Sequence, residues 1–140
     1  MKRILVGVDG SEASNQAAHL AAEIALRFGA RLTLAYAVPK LLLPPDAYGL
    51  TLVEVEREHR SYAEKLLGQA AAGIAGSGVE VDTVMLDGMA AEALATAATA
   101  PDIGMLVVGS RGRGAVSRML LGSVSDRLVH ISPKPVLVAR

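Results

Sequence analysis

The chain has 140 residues, with 14 basic and 14 acidic side chains and no cysteine. That excludes disulfides and thiolate metal sites, and it removes any general electrostatic affinity for nucleic acid or anionic membrane. Apolar residues make up 51% of the chain but aromatics only 3%, with one Phe and no Trp, so the core has to be built from Ala, Val, Leu and Ile. In chain order, Ile4–Val8 reads as a first strand, apolar on both faces as in the middle of a covered parallel sheet. Asp9-Gly10-Ser11 turns the chain, and Ser11 is placed to cap a helix carrying Ala13, Ala17, Leu20, Ile24 and Phe28 at helical spacing, with Gly29 closing it. Arg31–Val38 is the second strand, and residues 39–49, with three prolines, form an irregular connection. From Thr51 to Ala75 a long helix carries Leu52, Val55, His59, Tyr62, Leu66, Ala70 and Ile74 on one face, and Gly76-Ser77-Gly78 ends it. Val79–Leu86 is the third strand, Ala90–Ala100 an Ala-rich helix before Pro101, and Gly104–Val108 the fourth strand. A last helix begins near Ser123, and Pro135–Ala139 is the fifth strand.

Strands alternating with helices imply an α/β fold: an open, doubly wound, five-stranded parallel sheet with right-handed crossovers and helices on both faces. The order 3-2-1-4-5 makes the first and fourth strands neighbours where the winding reverses, which places Asp9 beside Gly109 at the mouth where such sheets bind ligands. The whole of 1–140 reads as one domain. No apolar run approaches the ~20 residues that cross a bilayer. Nothing at the start resembles a secretory leader, because Asp9 follows Ile4–Val8 at once, so a cytoplasmic location is expected.

The chemistry concentrates in two glycine-rich turns. Met105-Leu106-Val107-Val108 runs directly into Gly109-Ser110-Arg111-Gly112, and after nine intervening residues comes Gly122-Ser123-Val124-Ser125 at a helix start. Glycines after a core strand let backbone N–H groups approach an anion, and a helix N-terminus adds unpaired N–H donors with a partial positive charge. Arg111, Arg113 and Arg118 lie between the turns, and Arg111 is the one placed to touch a phosphate. The segment is not a Walker loop, because no Lys-Ser/Thr follows a glycine at the required spacing. It is not a dinucleotide fingerprint either, since Ser117 stands where the third glycine after Gly112 and Gly114 would be. Ser123-x-x-Asp126 has the form of a capping pair. The three histidines lack metal-ligand spacing, and His59, on an apolar stripe, reads as a hydrogen-bonded core or interface residue.

The pattern Gly109-x-x-Gly112, nine residues, Gly122-Ser123 resembles the ATP-binding motif of the universal stress protein family. The opening Val6-Gly7-Val8-Asp9-Gly10-Ser11-Glu12 and the closing Lys134-Pro135-Val136-Leu137-Val138 are similar to that family as well. The resemblance covers the whole chain and points to the nucleotide-binding branch. It implies that Gly109, Gly112, Gly122, Ser123, Val124 and Ser125 hold the ribose and phosphates of ATP, with a Mg²⁺ or Mn²⁺ ion bridging the phosphates. It further implies that Gly7, Val8, Asp9 and Ala37 line the adenine side and that Val108 packs beside the nucleoside. One departure is Gly104, where the family often has Asp.

A carboxylate ~4 Å from a phosphate charge would cost about 4 kcal/mol at an effective dielectric of 20. Asp9 is therefore expected to face the base or ribose, or to share a metal ion with the phosphates. The resemblance also implies a homodimer joined through Val136–Ala139, and an apolar strand at a sheet edge invites such pairing. The leading expectation is a nucleotide-dependent regulatory switch of the stress response, in which ATP orders the 111–121 segment. The alternatives are a slow ATPase or phosphotransferase, for which no catalytic base or water-orienting residue is identifiable, and a nucleotide-free dimeric interaction module. The downstream protein partner is not specified by any motif.

Overall fold

The computed structural model describes residues 1–40, 49–111 and 121–140. Five strands, β1 (Arg3–Gly7), β2 (Arg31–Val38), β3 (Val81–Asp87), β4 (Ile103–Gly109) and β5 (Val136–Ala139), form one parallel sheet in the order β3-β2-β1-β4-β5. Four helices connect them: α1 (Glu12–Phe28), α2 (Gly49–Gly73), α3 (Ala90–Ala97) and α4 (Ser123–Ile131). The expected architecture and strand order are both present.

The period-two alternation of the central strands sends their side chains into two separate cores. Ile4, Val6, Leu32, Leu34 and Val107 pack with the Ala17-Ala18-Ala21-Ala22-Ala25 stripe of α1 and with Leu66 and Leu67 of α2. On the opposite face Leu5, Ala35, Leu106 and Val108 pack with Ala91, Leu94 and Ala95 of α3 and Leu128 of α4. The alanine stripe lets α1 lie close to the sheet, which explains how a chain so poor in aromatics builds a tight interior.

Several element ends differ from the sequence reading. β1 spans Arg3–Gly7 rather than Ile4–Val8, because Arg3 N–H already donates to Asp102 O (3.0 Å). β3 extends to Asp87, which pairs with Val38. α3 stops at Ala97, before three turn residues that precede Pro101. α2 gives way to a short 3₁₀ turn at Ala75–Ser77, where Gly78 takes φ +78°.

The start and finish of α1 follow the sequence reading. Ser11 Oγ accepts from Ser14 N–H (3.2 Å), and Gly29 adopts the left-handed conformation at φ +63°. β5 occupies one edge of the sheet with Val136, Leu137 and Val138 half-buried, and among the described residues one side of it has no strand partner. Across the second face, Arg127 Nε of α4 donates to Glu92 Oε1 of α3 (3.1 Å). The backbone hydrogen bond to Glu92 and this guanidinium hold the Glu92 carboxyl below its ordinary range.

Candidate functional site

The sheet reverses its winding between β1 and β4, and the side chains there are small. Gly7 ends β1 and Gly109 ends β4, so the two strands splay into their following helices and leave a crevice at their carboxyl ends. The crevice opens into a cavity of about 820 Å³, within the range typical of small-molecule sites.

One wall is the start of α4. Its first intrahelical bond is Asp126 N–H to Gly122 O (2.9 Å), so the N–H groups of Ser123, Val124 and Ser125 have no carbonyl within their own helix. All three residues line the cavity. The turn that presents them is fixed from below. Ser125 is 2% exposed, and its hydroxyl lies within donating distance of Gly122 O (3.0 Å) and Ser110 O (3.2 Å). Gly122 N–H in turn donates to Ser110 O. The Ser125 hydroxyl proton is therefore engaged by the backbone, and this residue offers the cavity its amide.

The capping expectation needs correction here. Gly122, not Ser123, is the N-cap, and it makes no side-chain cap bond. Ser123 is already the first helical residue and is exposed, one position too late for its hydroxyl to serve the helix.

The facing wall is the β1–α1 turn, whose polar groups are locally engaged. Asp9 Oδ1 accepts from Ser11 N–H (2.9 Å), and Asp9 N–H donates to Ser14 Oγ (3.3 Å). Ser14 Oγ donates on to Ser11 O (3.0 Å). Ser14 is buried at the same third helical position in α1 that Ser125 holds in α4. The two strand-to-helix turns at the switch point are thus pinned by the same device, a buried serine whose hydroxyl donates to the N-cap carbonyl.

Gly109 is needed between these walls for a reason other than turn conformation. Its φ is not positive, but a Cβ there would stand 2.7 Å from Ala13 C and 2.9 Å from Ala13 O and Ser14 N. The missing side chain lets α1 seat its first turn directly on the end of β4.

The cavity is also bounded by the end of β2 and the chain beyond it, Ala35–Pro39, by Ala90 and Leu94 of α3, and by His59 and Tyr62 of α2. The rings of Tyr36 and Tyr62 meet edge to face, with centroids 6.1 Å apart and planes at 69°.

The family model of the Universal stress protein family matches residues 1–140. The chain belongs to the universal stress protein family. It is similar to a universal stress protein of Thermus aquaticus, 37% identical over 141 residues that cover 99% of this chain and 98% of that one. Among solved structures it is similar to the universal stress protein UspA of Lactobacillus plantarum, with TM-score 0.88, 28% identity and coverage of 99% and 97% of the two chains. It is also similar to a universal stress protein crystallised in complex with cAMP, with TM-score 0.77, 25% identity and the same coverage.

Of the site residues expected from the universal stress protein motif, Gly7, Val8, Asp9, Ala37 and Val108 all line this one cavity. So do Gly109, Arg111, Gly122, Ser123, Val124 and Ser125. Gly112, Arg113, Gly114 and Arg118 lie outside the described residues. Arg111 is exposed at the rim, and its carbonyl lies 3.5 Å from Ser11 Oγ.

Sequence reasoning missed the α2 wall. His59 and Tyr62 stood on a stripe assigned to the core. His59 lines the cavity, and its Nδ1 is buried with no hydrogen-bond partner among the described residues. The available signal was two polar-tipped side chains three residues apart on an otherwise apolar helical face. Among the described residues no helix is long and apolar enough to cross a membrane, and no cluster of three or more His, Asp or Glu is placed to hold a metal ion.

Proposed function

We propose that this protein binds an adenine nucleotide, ATP by preference, at the carboxyl ends of β1 and β4 and acts as a nucleotide-dependent regulator in the cytoplasmic stress response. The observation that carries the reading is the convergence on one cavity of the α4 amides, the two strand-end glycines and the apolar end of β2. The first group suits a polyanion and the last suits a flat heterocycle. The related structure holding cAMP supports the same chemistry.

In this arrangement the phosphates lie on the N–H groups of Ser123, Val124 and Ser125 and near Arg111. The nucleoside packs on Val108, and the base rests toward Val8, Asp9 and Ala37. A bridging Mg²⁺ or Mn²⁺ takes most of its ligands from phosphate oxygens and water, as such ions commonly do. Regulation follows if two states of the protein differ in affinity for the nucleotide, with Gly112 and its neighbours the expected responding segment. The second copy in a homodimer pairs along the open edge of β5, Val136–Ala139.

Thermal unfolding tests the reading. ATP with Mg²⁺ at 100 times its Kd is expected to stabilise the folded protein by about 2.7 kcal/mol. A melting temperature unmoved by millimolar ATP would reject it. Light scattering at micromolar concentration is expected to give the mass of two chains, and the mass of one would remove the dimer.

A further inference from the structure

We propose that the ring of Tyr62 is the platform on which the base of the bound nucleotide stacks; this rests on the nucleotide reading above. The strand order sets where the base goes. The start of α4 is tied to the end of β4, where Gly122 N–H donates to Ser110 O. Next to β4 comes β1, and next to β1 comes β2. Neighbouring strands lie ~4.8 Å apart, so a ligand anchored on the α4 amides and lying across the strand ends meets the end of β2 about 10 Å away. Tyr36 stands on β2, and the ring of Tyr62 meets it with centroids 6.1 Å apart. Both residues line the cavity.

The cavity has two unlike sides there. α2 packs on one face of the sheet through Leu66 and Leu67, and α3 packs on the other through Ala91 and Leu94. Past the strand ends Tyr62 therefore bounds the cavity from one face of the sheet, and Ala90 and Leu94 bound it from the other. A slot with an aromatic ring on one side and aliphatic carbon on the other suits a flat heterocycle, which stacks on the ring through its own π-face. Tyr62 is open to such a ligand: it is 42% exposed, whereas Ala63 beside it and Leu66 one turn on are buried. Its edge-to-face contact with Tyr36, planes at 69°, leaves the Tyr62 ring at least one face outside the pair. The same contact holds the ring, and Arg60 ties this part of α2 to the end of β3 through Asp87 Oδ1 (3.1 Å).

The test is equilibrium binding to the full chain of wild type, Tyr62→Phe, which keeps the ring, and Tyr62→Leu, which keeps only apolar bulk. The ligands are ATP and 2-aminopurine riboside triphosphate, whose base is an isomer of adenine and loses fluorescence when it stacks. Tyr62→Leu is expected to weaken ATP about tenfold, with Tyr62→Phe close to wild type. At saturation the probe should be quenched on wild type and on Tyr62→Phe and bright on Tyr62→Leu. That brightness reports stacking and is independent of affinity, so a role confined to packing against Tyr36 would not change it. ATP affinities of the two variants within about twofold of each other, or equal probe brightness on all three proteins, would overturn the role of Tyr62 while leaving nucleotide binding intact. Failure of both ligands to bind the wild type would overturn both readings.

Discussion

Replacing Ser123 with proline is expected to lower ATP affinity by about 10- to 100-fold while the fold survives, because hydrogen bonds to a charged group are worth roughly 1.5–3 kcal/mol each. The substitution removes one amide hydrogen and little else. Ser123 is the first residue of α4, where proline is tolerated and its fixed φ suits the helix. The residue before it, Gly122, already has the extended conformation that proline demands of its neighbour, at φ −73° and ψ 165°. Ser123→Ala serves as the control that deletes the hydroxyl and keeps the amide. Calorimetric titration of both variants separates the two contributions. If the amide cradle holds the phosphates, the proline variant falls well below the alanine variant. Equal affinities would mean that the first amide of α4 does not face the ligand.

Gly109→Ala should cost more stability than Gly7→Ala, the matching change at the end of β1. The new Cβ would meet backbone atoms of α1, with Ala13 C at 2.7 Å and Ala13 O and Ser14 N at 2.9 Å, and backbone cannot rotate out of the way. Relief requires the first turn of α1 to lift off β4, and with it the pinned turn that carries Asp9. Overpacking of this kind typically costs about 1–3 kcal/mol, which lowers the melting temperature by roughly 3–10 °C for a domain of this size. Gly7→Ala is the internal comparison. There the added atom meets Leu94 Cδ1 at 2.8 Å, the end of a flexible side chain, and Val108 Cγ1 at 3.1 Å. Its cost is expected to be the smaller of the two. A Gly109→Ala protein that melts within a degree of wild type would show that the close seating of α1 on β4 is not required.

Much of this was legible in the sequence because hydrophobic period and turn chemistry agreed at every level. Uninterrupted apolar runs such as Ile4–Val6 and Leu106–Val108 announce strands covered on both faces. The alanine spacing of α1, capped by Ser11 and closed by Gly29, announces a helix close to the sheet. That these residues share one cavity was legible because most of them stand at strand ends or a helix start, and the parallel topology brings those together.

The missing parts depend on distance in space rather than in sequence. The apolar stripe of α2 is visible, but nothing local tells that its His59–Tyr62 portion overhangs the cavity while Leu66 and Leu67 enter the core. Ser123-x-x-Asp126 imitates a cap, whereas the real fastening is the buried hydroxyl of Ser125 against carbonyls of Ser110 and Gly122. Whether a serine is buried is decided by its packing partners, which a short pattern does not encode.

A crystal structure of the protein with ATP and Mg²⁺ bears most directly on the central claim. The expected result is phosphate oxygens within hydrogen-bond distance of the N–H groups of Ser123, Val124 and Ser125, with the base against Ala37 and Val38. ATP bound elsewhere, or this crevice closed by side chains while ATP is present at saturating concentration, would contradict it.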